Sequence, residues 1–149
     1  WLPKNIPDDD ETSIVHGDYR LDNMILKNNQ VMGILDWELS TLGHPIADFS
    51  YHCLSWRTQE AFWNQAKLKE LGIPSEKEYM DMYCENTGKD LSKNWEFYMA
   101  FNMFKIAGIL QGILGRVRDG TASSKHAEDR GMMVYPLSEA AWNTIKENF

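Results

Sequence analysis

The sequence predicts a mainly α-helical domain carrying a small β-hairpin, an α+β arrangement. Three observations carry that expectation. Asn28-Asn29-Gln30 separates two short apolar runs at 24–27 and 31–35. Asn tolerates the positive φ of a tight turn, so the pair of runs reads as a hairpin. From about residue 59 onward the apolar spacing is helical, punctuated by a stop at Gly72-Ile73-Pro74 and a capping box at Ser75-Glu76-Lys77-Glu78. Residues 95–114 are apolar nearly all round, the pattern of a helix buried at the centre of a fold.

The elements follow in chain order. Residues 3–12 are rich in Pro and Asp and read as a loop, and 13–15 form a short apolar run. The hairpin over 24–35 comes next. Residues 39–45 contain Gly and Pro and read as a loop, and Asp48 opens a helix running to about Trp56. A helix over 59–71 ends at Gly72. The next starts from Ser75 and reaches about Asn86, before Gly88. Ser92 or Asn94 starts the long one, which reaches Arg116 or Arg118. The last begins at Ser123 or Ser124 and is expected to kink or break at Pro136. Residues 95–114 have the length of a membrane span, but Glu96, Asn102, Lys105 and Gln111 interrupt them and no second such segment exists. A central helix of a soluble domain is the expectation.

At 149 residues the chain can bury a core of its own, and it reads as one domain over 1–149. Apolar residues make up 43% and charged residues 25%, as in ordinary globular proteins. The net charge of -7 argues against a nucleic-acid partner, whose phosphates it would repel. Cys53 and Cys84 form no Cys-x-x-Cys, so neither a zinc framework nor a redox motif is offered, and two reduced thiols in a cytoplasmic protein are expected. No membrane is implied. The start at Trp1-Leu2-Pro3 has no signal-peptide pattern, and a chain opening without Met is expected to be a cut from something longer.

The chemistry gathers in two stretches. The first is His16-Gly17-Asp18-Tyr19-Arg20-Leu21-Asp22-Asn23, and the second is Leu35-Asp36-Trp37-Glu38 across the hairpin. A loop carrying Asp18 and returning at Asn23 can aim both side chains at one place. Asp36, where the backbone leaves the second strand, can reach the same place. A phosphoryl-transfer site needs those parts in that order: one carboxylate to orient a hydroxyl and take its proton, then an amide oxygen and a second carboxylate for magnesium. Each residue alone reads as well as a turn Asp or Asn. Together, with the hairpin between them, they form a specific pattern. His16 is expected to pack beneath the loop and bond backbone rather than act as a base. Arg20 offers a fork for phosphate or an ion pair with Asp22 or Glu38. Glu38 offers support to a metal-bound water or is a solvated acid. Asp48 is expected to cap its own helix and hold the loop. His44, His52 and His126 read as structural or surface residues.

On these residues the sequence resembles the aminoglycoside phosphotransferase family, small-molecule relatives of the protein kinases. The stretches His16 to Asn23 and Leu35-Asp36-Trp37-Glu38-Leu39-Ser40-Thr41-Leu42-Gly43-His44-Pro45 look most like the branch found as the kinase-like domain of acyl-CoA dehydrogenase family members 10 and 11. The similarity continues weakly to the end of the chain. It implies a C-terminal lobe of a kinase-like fold, with Asp18 as catalytic base, Asn23 and Asp36 as magnesium ligands and Asp48 as a brace of the catalytic loop. The cofactors and partners it implies are Mg2+, ATP and a small-molecule alcohol, one reading of which is a hydroxylated acyl compound. No Gly-rich phosphate loop and no strand lysine occur, so the chain matches only that lobe. An isolated lobe is expected to bind nucleotide poorly and to self-associate through exposed apolar surface. Two other readings stand against a kinase: an inert kinase-like binding or regulatory module, and a metal-dependent hydrolase built on His16, Asp18, Asp36 and His44. Hydrolases of that kind usually group more histidines at regular spacing.

Overall fold

The computed structural model describes residues 1–9, 11–58 and 65–149. Its elements are β1 (Ser13–Val15), β2 (Met24–Lys27), β3 (Gln30–Ile34), β4 (Thr41–Gly43), α1 (Pro45–Cys53), α2 (Ser55–Thr58), α3 (Gln65–Glu70), α4 (Glu76–Thr87), α5 (Trp95–Arg118), α6 (Ala127–Met132) and α7 (Val134–Asn148). The described residues are mainly helical, as expected from the sequence, and carry two small antiparallel sheets, one of them the expected hairpin.

The hairpin β2–β3 pairs Met24 with Ile34 and Lys27 with Gln30. Its turn is two residues, Asn28 and Asn29, both at positive φ of 53° and 59°. That is the backbone of a type I′ turn, whose twist matches that of the strands it joins. Gln30 therefore lies in β3, not in the turn as expected. The region read as a loop at 39–45 also holds β4, which pairs with β1 from Ser13 opposite Gly43 to Val15 opposite Thr41. This two-stranded ribbon holds together the two ends of the segment that carries the motif residues.

The helical body packs around α5, which contacts α1, α6 and α7. Its Trp95, Tyr98, Met99 and Met103 are buried with Ile46, Phe49 and Cys53 of α1 and Val134, Leu137 and Ala141 of α7. α5 is long and apolar enough to cross a membrane, yet these contacts make it the core helix of the fold. Three of its four polar interruptions have tertiary partners. Glu96 pairs with Arg57. Asn102 donates to Ala47 O at 2.9 Å and Ser50 Oγ at 2.8 Å. Lys105 donates to Gly17 O.

Helix ends follow local chemistry, with two corrections. α4 starts from the expected box: Ser75 Oγ accepts from Glu78 N at 3.3 Å while Ser75 N donates to Glu78 Oε2 at 2.8 Å, and Gly88 ends it at φ 71°. α1 begins at Pro45 rather than Asp48, because His44 is its cap, with Nδ1 accepting from Ile46 N at 3.2 Å. The last helical region breaks at Met133 rather than Pro136. Pro136 sits in the first turn of α7, where no helical partner exists for an N–H and proline is tolerated. Of the helix expected over 59–71, Gln65–Glu70 is helical and 59–64 lie outside the described residues. Both cysteines are free thiols, Cys53 buried and Cys84 half-buried.

Candidate active site

The site is built on α1. Ile46, Phe49, Ser50 and Cys53 bury one face of that helix. Asp48 and Tyr51, three residues apart, share another face, since that spacing is close to one turn. Both reach the loop at 16–23. Asp48 accepts from the backbone N–H groups of His16, through a short bond, and of Gly17, at 2.8 Å. Two loop donors that would otherwise be stranded are satisfied by one carboxylate.

Gly17 is required by the backbone. Its φ is +84°, and a Cβ there would lie 2.5 Å from the carbonyl oxygen of Leu39. The chain therefore turns sharply just before Asp18. His16 is buried, with both ring nitrogens engaged: Nε2 donates to Leu35 O at 2.7 Å, and Nδ1 accepts from Asp18 N at 3.2 Å. The pairing assigns the proton to Nε2. The imidazole lies tilted at 53° with its centre 4.7 Å from that of the Trp37 ring, and its bond to Leu35 O ties the Asp18 loop to the end of β3. It has no nitrogen left for a metal.

Asn23 and Asp18 meet directly. Asn23 Nδ2 donates to the Asp18 carbonyl at 2.8 Å and to Asp18 Oδ2 at 3.0 Å. Asn23 is buried and lies at the end of a 3-10 turn over Leu21–Asn23. Leu35 N donates to Asn23 O at 2.8 Å, so the backbone entering Asp36 is fastened beside Asn23. Asp36 itself adopts the left-handed conformation, φ 66° and ψ 51°, and its side chain makes no capping bond to the following turn over Trp37–Leu39. A non-glycine residue held at positive φ is uncommon, and such strain gathers at functional sites.

Asp18 is surrounded by donors. Tyr51 Oη donates to its Oδ1 at 2.5 Å, and Arg20 Nε lies 3.2 Å from its Oδ2. Burial pushes the carboxyl up. The bonds from Tyr51 and Asn23 and the charges of Arg20 and Lys105 outweigh it and hold Asp18 below the usual carboxylate range. Its side chain is 16% exposed, so it is sheltered yet reachable. Arg20 also lies 3.8 Å from Asp22. Glu38 is exposed on the turn after Asp36, and among the described residues its carboxylate is not paired with Arg20.

Magnesium suits the donors present. Asn23 commits its amide nitrogen to Asp18, which leaves its amide oxygen as a hard ligand, and the exposed Asp36 supplies a carboxylate. A zinc-type site does not form: among the described residues no group of three or more His, Cys, Asp or Glu side chains could hold a metal. His16 is engaged on both sides, and His44 caps α1 through Nδ1 while its Nε2 lies 3.3 Å from Asp9 Oδ2, so the histidines give the hydrolase alternative no support.

Besides Asp48, two residues of the site lie outside the motif, Tyr51 and Lys105. Asp48-x-x-Tyr51 on one helix face is the signal that points to the first. The second was visible only as a charge in an apolar helix. A cleft of about 610 Å3 is lined by Arg20 and Tyr51, which both contact Asp18, and by Asp22, Leu54, Trp56, Ile73 and Ile106.

A family model described as the phosphotransferase enzyme family matches residues 1–83. Mouse acyl-CoA dehydrogenase family member 10 is 43% identical over 157 residues, an alignment spanning all of this chain and 15% of that protein. Human acyl-CoA dehydrogenase family member 11 is 40% identical over 156 residues, again across the whole chain and 20% of that protein. The chain thus spans a fifth or less of the length of these curated relatives. A crystal structure from Ralstonia eutropha JMP134, assigned as an aminoglycoside phosphotransferase, superposes with a TM-score of 0.88 at 50% identity, covering 99% of this chain and 47% of that one.

Proposed function

The chain belongs to the phosphotransferase enzyme family, and from that premise we propose that it transfers the γ-phosphate of ATP, with magnesium, to a hydroxyl of a small molecule. One observation carries the reading. Asn23 bonds Asp18 through its nitrogen, at 2.8 and 3.0 Å, so a carboxylate and an amide whose oxygen is not used in that bond are held together on one loop. Asp18 would orient the acceptor hydroxyl and receive its proton as the oxygen attacks phosphorus. Asn23 and Asp36 would hold magnesium, which when bound neutralises charge on the phosphate oxygens. Arg20 lies beside the carboxylate with half of its side chain exposed, and its fork suits a phosphate oxygen.

The acceptor would enter by the cleft that Arg20 and Tyr51 line. Leu54, Trp56, Ile73 and Ile106 give that cleft apolar walls, which suit an alcohol with a hydrocarbon body. A hydroxylated acyl compound fits this description, and the similarity to acyl-CoA dehydrogenase family members 10 and 11 supports it. The setting proposed is the cytoplasm.

The test is phosphate transfer from ATP in the presence of magnesium, using the longest natural protein that carries this sequence and a panel of hydroxylated acyl compounds. Asp18→Ala should abolish turnover. Undiminished turnover in that variant would remove Asp18 from its role. Calorimetry that found magnesium-ATP bound but never turned over would favour an inert binding module instead.

A further inference from the structure

The motif accounts for Asp18, Asn23 and Asp36, but not for the contact Asp18 makes outside it. Tyr51 is half-buried on α1, and its hydroxyl lies 2.5 Å from Asp18 Oδ1. The other carboxylate oxygen, Oδ2, is taken by Asn23 Nδ2 at 3.0 Å and faces Arg20 Nε at 3.2 Å. With a donor on each oxygen, the plane of the carboxylate is set on both sides. Behind Tyr51 stands Lys105 of α5, whose ammonium lies 4.9 Å from the centre of the Tyr51 ring and donates to Gly17 O. A cation over the face of the ring restricts its tilt. The same ammonium holds the loop one residue before Asp18. Asn102, one helical turn before Lys105, fastens α5 to α1 through Ala47 O and Ser50 Oγ. Tyr51 is thus gripped by its own helix, by the ring contact and by the carboxylate.

We propose that Tyr51 is a positioning residue for Asp18, and that Lys105 locks it in place. The proposal rests on the reading of Asp18 as the base. Asp18 Oδ1 retains a second lone pair for the acceptor hydroxyl while Tyr51 holds the first. A base free to rotate about its side-chain torsions would meet that hydroxyl in the wrong direction for much of the time. Orientation of this kind acts on the chemical step and not on the binding of either substrate.

The test compares wild type, Tyr51→Phe, Lys105→Met and Asp18→Asn in the longest natural protein that carries this sequence. Tyr51→Phe removes one oxygen and keeps the ring. It should lower kcat by about 10- to 100-fold and leave KM for ATP and acceptor within about twofold. Lys105→Met should lower kcat in the same direction by less. A second readout needs no turnover: with 13C-labelled tyrosine, the Tyr51 Cζ signal at neutral pH, assigned by its loss in Tyr51→Phe, should shift in Asp18→Asn relative to wild type, because the hydroxyl loses its carboxylate acceptor. An unchanged signal means the contact is not made and overturns the proposal. If Asp18→Asn is inactive while Tyr51→Phe keeps full kcat, the positioning role falls and the phosphotransferase reading stands. If Asp18→Asn is as active as wild type, or wild type transfers no phosphate, that reading falls and the positioning role falls with it.

Discussion

Asn23 faces Asp18 with its nitrogen, not its oxygen. The two bonds, 2.8 Å to the Asp18 carbonyl and 3.0 Å to its carboxylate, fix which end of the amide points away from the loop. Asn23→Ala removes a brace and an oxygen ligand together. It should cut phosphate transfer by about 10- to 100-fold or more, in line with losses at metal ligands and their partners. It should also raise the magnesium concentration needed for half-maximal rate. Steady-state rates across a magnesium series check this, and an unchanged magnesium dependence would remove Asn23 from the metal.

Gly17→Ala should destabilise the fold as well as the site. The new Cβ would meet backbone at 2.5 Å, and the residue would sit at φ +84°. The opposing atom is a carbonyl oxygen, which cannot swing away as a side chain could. The expected cost is about 1–3 kcal/mol. For a domain of this size each kcal/mol lowers the melting temperature by about 2–4 °C. Thermal unfolding reads it, and a melting point equal to wild type would show that the Leu39 carbonyl yields.

The candidate site was legible where its parts lie close in sequence. Asp18 and Asn23 share one short loop, and the hairpin that returns the chain to Asp36 is marked by Asn28 and Asn29, whose positive φ few other residues tolerate. Tyr51 and Lys105 meet that loop from 33 and 88 residues away. Tyr51 is marked in the sequence only by sharing a helix face with Asp48, and no local rule speaks for a single Lys on a helix, so packing is what brings both to Asp18. The same limit hid β4, three residues long, whose ladder depends on β1 far upstream. Asp48 looks like the start of α1 in the sequence, but His44, an unusual cap, takes that place and the Asp48 carboxylate serves the loop instead. Pro136 reads as a breaker in the sequence because a proline looks the same at the start of a helix and in its middle. Only the break at Met133 tells the two apart. The polar interruptions of α5 were read as evidence against a membrane span. They also mark tertiary bonds, to α1, to Arg57 and to the loop that carries Asp18.

Arg57 ties three helices together. Its fork meets Glu76 of α4 at 2.7 Å and Glu96 of α5, and Trp95 Nε1 donates to Glu76 at 2.8 Å. Burial opposes the charge on Arg57, and the two carboxylates more than offset it. Arg57→Met would leave Glu76 and Glu96 repelling each other without a cation between them. All three side chains are about a quarter exposed (24%, 21% and 26%), which allows water to screen part of the effect. The expected loss is therefore about 1–3 kcal/mol, below that for a fully buried pair. Urea unfolding measures it. Adding Glu96→Gln to Arg57→Met should restore part of the loss, and failure to restore any would show that the cost is lost packing rather than stranded charge.

His52 makes stability depend on mildly acid pH. Its ring lies among the rings of Tyr19, Trp56 and Tyr79, at centroid distances of 5.5, 6.4 and 5.6 Å. Burial there disfavours the charged form and lowers its pKa, while a hydrogen bond to the Tyr19 backbone works the other way. The unfolded chain takes up a proton near the ordinary imidazole value of about 6.5, before the folded protein does. Stability rises with pH wherever the unfolded state binds more protons. The contribution of neutral His52 is thus fully present above about pH 6.5 and is lost as pH falls from there through the lower folded value. His52→Phe keeps an aromatic ring and removes the titration. Wild type should lose more stability than this variant on acidification below about pH 6.5, with the difference levelling off once the folded imidazole is also protonated. Urea unfolding of both proteins at a series of pH values checks it. Parallel curves through that range would mean that the folded His52 titrates as it does in the unfolded chain, which burial among three aromatic rings does not allow.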